Sequence, residues 1–387
     1  MKKVLAVVPV ALALTSAPTA SAIDIGQDGS VASVEVHGFA SQGFILSTQN
    51  NYLSANSTNG SFQYSEVGLN FTKALTDNLR MGLQFFAQDL GPNGSYVPNI
   101  DWFYLDYRWK DWLGFRAGRV KIPYGLYNDI QDVDSARVPV LLPQSVYPIE
   151  NSNYLLAQTG AELYGYLKSR RAGALEYAAY AGTILVDTLI PPNSPYTVED
   201  LNVPYVIGGR LLWETPVDGL RLATSLQTLR LNATVLAKDV PATIGLPAEL
   251  WLASVEYSGH DLLVAAEYGR TYAKVLSSNS TVSPSVPLTT AEAGYVMASY
   301  RVSRWLQPGM YYALEFPNID NRRGPANIQH DVATTLRFDI NSFWLVKLEG
   351  HFMSGTAELD SSLNGNVPLS DLSRDWEVFL VKTTAYF

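Results

Sequence analysis

The sequence predicts an all-β chain: a transmembrane, antiparallel, up-and-down β-barrel of about sixteen strands. Three observations lead there. Apolar and polar residues alternate with period two in segment after segment, which puts them on opposite faces of strands rather than around helices. The connections between these segments are alternately short and long. The chain carries 23 Tyr, 14 Phe and 8 Trp, a load suited to membrane interfaces, yet no internal run reaches the ~18 uncharged apolar residues of a spanning helix.

The first element is an export signal over residues 1–22. Lys2 and Lys3 form its charged start, the run from Val4 to Leu14 is apolar apart from Pro9, and Ala20-Ser21-Ala22 fits a small-residue cleavage site. Residues 23–387 are expected to form a single barrel domain. With no cysteine, the exported chain has no disulfide framework, no thiol chemistry and no lipoprotein attachment site. Four histidines without a cluster argue against a metal site. A net charge of -9 without a basic stripe argues against nucleic acid as a partner.

The candidate strands run near 33–47, 62–73, 79–88, 101–109, 113–122, 159–167, 174–182, 204–213, 220–229, 249–257, 262–272, 292–301, 306–315, 329–339, 343–353 and 376–387. Several alternate cleanly. Leu79, Met81, Leu83 and Phe85 oppose Arg80 and Gln84; Tyr205, Ile207, Leu211 and Trp213 oppose Gly208 and Arg210; Val332, Thr334, Leu336 and Phe338 oppose Asp331, Arg337 and Asp339; Trp344, Val346 and Leu348 oppose Lys347, Glu349 and His351. Seven connections are short, at 73–78, 109–112, 168–173, 214–219, 258–261, 302–305 and 339–342, and most contain Asp, Asn, Gly or Ser, which supply turn chemistry. The other connections, 230–248 and 273–291 among them, read as longer loops. A secreted β-sandwich would also alternate, but has no reason to alternate short and long connections along its whole length.

If the apolar faces meet lipid, the opposite faces line a lumen, and ~16–18 strands leave a water channel. The wall inventory is Arg80, Arg108, Arg116, Arg210, Arg221, Arg301, Arg337, Lys347 and Lys382 against Glu35, Glu66, Asp106, Glu162, Glu176, Glu256, Glu267, Asp331, Asp339 and Glu349. An Arg or Lys facing lipid at the midplane costs ~2–4 kcal/mol, so charge confined to one face supports the assignment. These charges pair across strands and stiffen the wall, or set up a transverse field that orders water and selects polar solutes. Tyr104, Tyr164, Tyr166, Tyr180 and Tyr311 share the inner face, as a surface for sugar rings or as packing for an inserted loop.

The longest connection is 123–158. The strand before it ends Gly118-Arg119-Val120-Lys121-Ile122-Pro123-Tyr124-Gly125, where alternation fails: Phe115 and Ala117 face lipid, and Arg119 and Lys121 share their parity. Either the strand has left the membrane or a bulge resets its phase. The loop offers Tyr124, Asp129, Asp132, Asp134 and Glu150 against a single Arg137, around an apolar middle of Val138, Val140, Leu141, Leu142, Val146 and Ile149. So apolar a loop is built to pack against something. Asp129, Asp132 and Asp134 also have a spacing that a calcium ion could use; the plainer reading is an acidic face.

The last strand, Trp376 to Phe387, places Phe379, Val381, Ala385 and Phe387 on one face and Lys382, Thr384 and Tyr386 on the other. Its terminal Phe, together with the G-R-x-K-x-P-Y-G segment, resembles sixteen-stranded porins of the Gram-negative outer membrane, including the phosphate-selective and carboxylate-selective types. The resemblance implies short periplasmic turns, long extracellular loops, a third external loop folded into the channel around 124–150, a homotrimer, and contact with outer-membrane lipid and lipopolysaccharide. The loop is net acidic and has no lysine, which argues against phosphate selectivity.

The expected function is a passive diffusion channel for small hydrophilic solutes or ions, with no cofactor, and with weak cation preference from acidic external residues such as Asp360, Asp371 and Asp375. Alternatives are a channel selective for anionic solutes or sugars, and a closed barrel acting as a surface receptor or adhesin. A barrel hydrolase would need a base in a recognisable setting, and none of His37, His260, His330 and His351 has one.

Overall fold

The computed structural model describes residues 23–25, 33–91, 94–149, 155, 157–185, 197–237, 240–279 and 285–387; the signal segment 1–22 lies outside them. The strands are β1 (Ile23–Ile25), β2 (Val34–Ser47), β3 (Tyr64–Ala74), β4 (Leu79–Leu90), β5 (Asn99–Lys110), β6 (Leu113–Lys121), β7 (Ala157–Ser169), β8 (Gly173–Ile184), β9 (Thr197–Glu214), β10 (Leu220–Ala237), β11 (Val240–Gly259), β12 (Leu262–Ser277), β13 (Val286–Tyr300), β14 (Leu306–Phe316), β15 (Gln329–Asn341), β16 (Trp344–Gly355) and β17 (Asp375–Tyr386). From β2 to β17 each strand pairs antiparallel with the next, and β17 pairs with β2, so sixteen strands close into a barrel. Closure removes the open edges that a lipid-facing sheet could not satisfy. The short β1 adds to β2 at Val34–Val36.

At the seam, Phe387 and Gly38 exchange backbone hydrogen bonds of 2.9 and 3.1 Å. The missing side chain of Gly38 makes room for the Phe387 ring, since a Cβ there would lie 2.8 Å from its Cζ.

The alternation read from the sequence holds on the wall. Leu105, Phe115, Ile207, Leu211, Val296, Leu336 and Phe352 are exposed on the outer face, whereas Asp106, Glu162, Arg210, Asp331, Lys347 and Lys382 are buried on the inner one. All sixteen predicted barrel strands are present. Two expected loops are not loops. Across 230–248 the ladder continues unbroken to Ala237↔Val240, and β12 and β13 extend to Ser277 and Val286. Strands β9 to β13 therefore have 15 to 20 residues and stand above the rest as a crest. In the crest the polarity of the faces inverts: Leu231, Ala233, Val235, Ala242 and Ile244 pack together, while Arg230 on the opposite face is exposed. Strands leaving lipid have no reason to keep an apolar outer face, and this inversion hid them in the sequence.

The phase problem at the end of β6 is solved by irregular backbone. The register of β4 on β5 shifts between Gln84 and Phe85, and Gly118 adopts φ +135 with Phe103 O only 2.3 Å from where a Cβ would sit. Lys121 pairs with Asp101 at 3.2 Å and with Asp132 of the loop.

Candidate functional site

Residues 122–149 run across the barrel interior and are moored to three stretches of wall. On the first, formed by β9 to β12, Gly125 N donates to Ser225 Oγ at 2.9 Å, and Arg210 Nη1 donates to Gly125 O at 3.0 Å. The Glu267 carboxylate accepts from Leu126 N at 3.0 Å, from Tyr295 OH at 2.7 Å, and from Tyr147 OH and Ser254 Oγ. Tyr127 OH donates to Glu256 at 2.7 Å. Burial pushes the Tyr127 and Tyr147 phenols well above their usual range, and the neighbouring Glu256 and Glu267 push further, so both remain protonated donors.

The second mooring lies on β15 to β17. Lys347 Nζ donates to the carbonyls of Asp134 (2.7 Å), Arg137 (2.9 Å) and Pro139 (3.2 Å) and to Asp134 Oδ1 (2.9 Å). Lys382 lies 3.4 Å from the same carboxylate, and Thr384 Oγ1 donates to it at 2.7 Å. Burial raises the Asp134 carboxyl, but the charges of Lys347, Lys382 and Arg137 outweigh it and hold the group well below the usual carboxylate range. Glu349 accepts from Val140 N (2.7 Å) and Leu141 N (2.8 Å), and His351 bridges Glu349 and Asp331. Arg337 donates to the carbonyls of Ser135 and Arg137. A segment with so few regular backbone pairs needs such partners, because each buried unpaired polar group costs ~1–3 kcal/mol.

The third mooring is Asp132, which accepts from Gln84 Nε2 at 2.6 Å and from Lys121. The three loop aspartates thus face different cations: Asp129 faces Arg210 at 3.3 Å, Asp132 faces Lys121, and Asp134 faces Lys347 and Lys382. The calcium reading fails on this geometry, and no group of three His, Cys, Asp or Glu able to hold a metal occurs among the described residues.

The remaining wall residues fall into two sets. On β15–β17 and β2–β3 the charges are sealed: Lys347 and Lys382 are 0% exposed, with Lys382 on Glu66 at 2.6 Å. The sealing continues above, where Tyr52, Leu53 and Trp376 pack with Val140 and Leu141 and Asn51 bonds Asn364 between the neighbouring β2–β3 and β16–β17 loops. Along β4 to β9 the ionic groups are accessible in part, with Asp106, Glu162 and Arg210 themselves buried. The Arg80 side chain is 43% exposed beside Asp106, Asp129 is 35% and Glu176 28% exposed around Arg210, and Arg116 lies between Asp106 and Glu162. Arg221 pairs with Glu256, and Arg301 and Arg337 share Asp339. Arg108 and Glu35 sit exposed at the short-turn end, away from the loop.

Tyr124, Tyr180 and Tyr311 are buried in the cluster that receives the loop, whereas Tyr104 and Tyr164 flank the Arg116 guanidinium at 5.6 and 4.2 Å and Tyr166 bonds Glu214. The sequence reading put Gln84 and Thr384 on the inner face without giving them a role, and did not anticipate Asp101, Ser225 and Tyr147. Lys121 carried a signal, its break in alternation.

No family model and no curated protein matches the chain. Several solved structures do. OmpF of Salmonella typhi in complex with daunomycin has a TM-score of 0.62 at 15% identity, over 94% of this chain and 100% of that one. The anion-selective porin from Comamonas acidovorans has 0.56 at 11%, over 92% and 99%. The trimer form of OmpT, an outer membrane protein of Vibrio cholerae, has 0.55 at 12%, over 92% and 99%. At these identities the likeness is one of fold.

Proposed function

We propose that this chain, which has the sixteen-stranded fold of the Gram-negative outer-membrane porins, is a passive channel of that membrane for small hydrophilic solutes or ions. The observation that carries the reading is the segment 122–149, which crosses the barrel interior between its three moorings and leaves partly exposed ionic groups along β4 to β9. These set Arg80, Arg116, Lys121 and Arg210 against Asp101, Asp106, Asp129, Asp132, Glu162 and Glu176. Acid is in excess, which favours a weak preference for cations. This reading includes export by a cleaved signal at 1–22, a homotrimer, a belt of outer-membrane lipid and lipopolysaccharide, and no catalysis.

The test is single-channel conductance in a planar bilayer under a salt gradient. Stable openings in groups of three with a cation-directed reversal potential support it. Anion preference removes the selectivity, and folded protein without conductance removes the channel in favour of a receptor barrel.

A further inference from the structure

Between the inserted loop and the short-turn ends of β11 to β15 lies a cavity of about 40 Å³. Residues 135–139 of the loop line one side of it. Two of its lining arginines are almost fully buried, Arg137 from the loop and Arg337 from β15. Most of their donors are taken. Arg337 Nε donates to Asp339 at 2.9 Å, and its Nη1 donates to the carbonyls of Ser135 and Arg137 at 2.8 and 3.1 Å. Arg137 Nη1 donates to the carbonyls of Pro139 and Val140, and its Nη2 lies 3.6 Å from Asp134. Arg337 Nη2 and Arg137 Nε have no hydrogen-bond partner among the described residues. A guanidinium cannot shed its charge on burial, as an ammonium can, so each orphaned donor keeps its full desolvation cost.

A third cation lines the same space. The Arg301 side chain is 13% exposed, and its Nη2 donates to Gln307 at 2.6 Å. The carboxylates nearby are already committed. Asp339 is shared by Arg337 and Arg301, at 2.9 Å from each. Glu256 accepts from Tyr127 OH and pairs with Arg221. Asp134 has Lys347 and Lys382 as well as Arg137. Asp261, in the short turn, is exposed to water. Val138, Leu263 and Met297 complete the lining without adding charge.

We infer that this cavity binds a small inorganic anion of chloride size, held by Arg137, Arg301 and Arg337. One water needs ~10–15 Å³ of such space, so the cavity admits a halide with a water or two and excludes a phosphate ester or a sugar acid. Charge-assisted bonds from guanidinium donors are roughly twice as strong as neutral ones, which favours the ion over water alone. The ion joins the loop, through Arg137, to the wall, through Arg301 and Arg337. It lies away from the ionic groups of β4 to β9 and is a fixed part of the mooring, not a passing solute.

The probe is bromide, which replaces chloride and scatters anomalously. Crystals of the full-length folded protein soaked in bromide are expected to show an anomalous peak in the cavity. In detergent, thermal unfolding is compared in sodium chloride, sodium bromide and sodium gluconate at equal ionic strength. Gluconate is too large to enter, so both halides are expected to raise the midpoint by ~2–4 °C over it. Arg301→Gln removes one cation and leaves Arg337 with Asp339. Ala136→Leu fills the cavity and leaves every charge in place. Each variant is expected to lose both the peak and the halide-dependent shift, whatever its own midpoint, whereas a general salt effect would persist in both. No peak in the parent protein, equal midpoints in halide and gluconate, or a shift that survives in both variants would overturn the site. A peak without a shift in solution would mark an adventitious ion only and overturn it as well. Neither readout depends on conductance, so the site and the channel stand or fall separately.

Discussion

Lys347, fully buried on the inner face of β16, donates 2.7 and 2.9 Å hydrogen bonds to the carbonyl and carboxylate of Asp134, 213 residues earlier in the chain. The loop is therefore fastened to the far wall by a charge that has no water to turn to.

Replacing Lys347 by Met should be costly. Breaking a buried pair outright costs ~3–5 kcal/mol; Asp134 keeps Lys382 at 3.4 Å, so the cost should fall below that range, while three loop carbonyls lose one donor each. The expected outcome is an earlier midpoint in denaturant unfolding of the folded barrel, together with larger and noisier single-channel openings.

The Asp134 anchor sets a pH window. Because its carboxyl is held below the usual range, its stabilisation is fully present above the unfolded value of ~3.9 and is lost as pH falls through the depressed native value. Conductance should stay steady on mild acidification and become unstable only in strong acid. Asp134→Asn should be noisy already at neutral pH; a quiet trace there would count against this anchor.

Gly125 sits at φ +62, and a Cβ there would lie 2.4 Å from Tyr147 OH and 2.8 Å from Glu267 Oε1. A left-handed backbone costs an L-residue ~1–2 kcal/mol, and the collision adds to it. Gly125→Ala should lower stability by at least ~2 kcal/mol and loosen the loop, read as increased proteolysis between 122 and 149.

Arg116 offers the selectivity test. Arg116→Gln leaves Asp106 with Arg80 but removes the ion-pair partner of Glu162. One uncompensated charge at ~4 Å in water is worth ~1 kcal/mol, so the cation-to-anion permeability ratio should rise by up to about fivefold. A reversal potential that does not move would mean ions pass elsewhere.

The wall was legible because lipid and lumen impose a strict contrast: Ile207 and Arg210 could not exchange faces. The crest was not, because above the membrane both faces meet other rules and Arg230 and Asn232 point where apolar residues stand below. The loop's acidic spacing was visible, but not its outcome. Two short turns, at Asn128–Ile130 and Asp134–Ala136, fan the carboxylates apart. Nor could the sequence show that Glu349 serves the backbone of Val140 and Leu141, since an N–H partner leaves no mark in residue type.

A hollow cylinder with a wall one strand thick flattens easily under lateral load. The segment between Gly125 and Leu141 ties Ser225 and Glu267 on one side to Lys347 and Glu349 on the other, and so spans the bore like a strut. It sets the diameter as well as the aperture, and slackening it should let the cross-section turn oval under membrane tension before any strand parts from its neighbour.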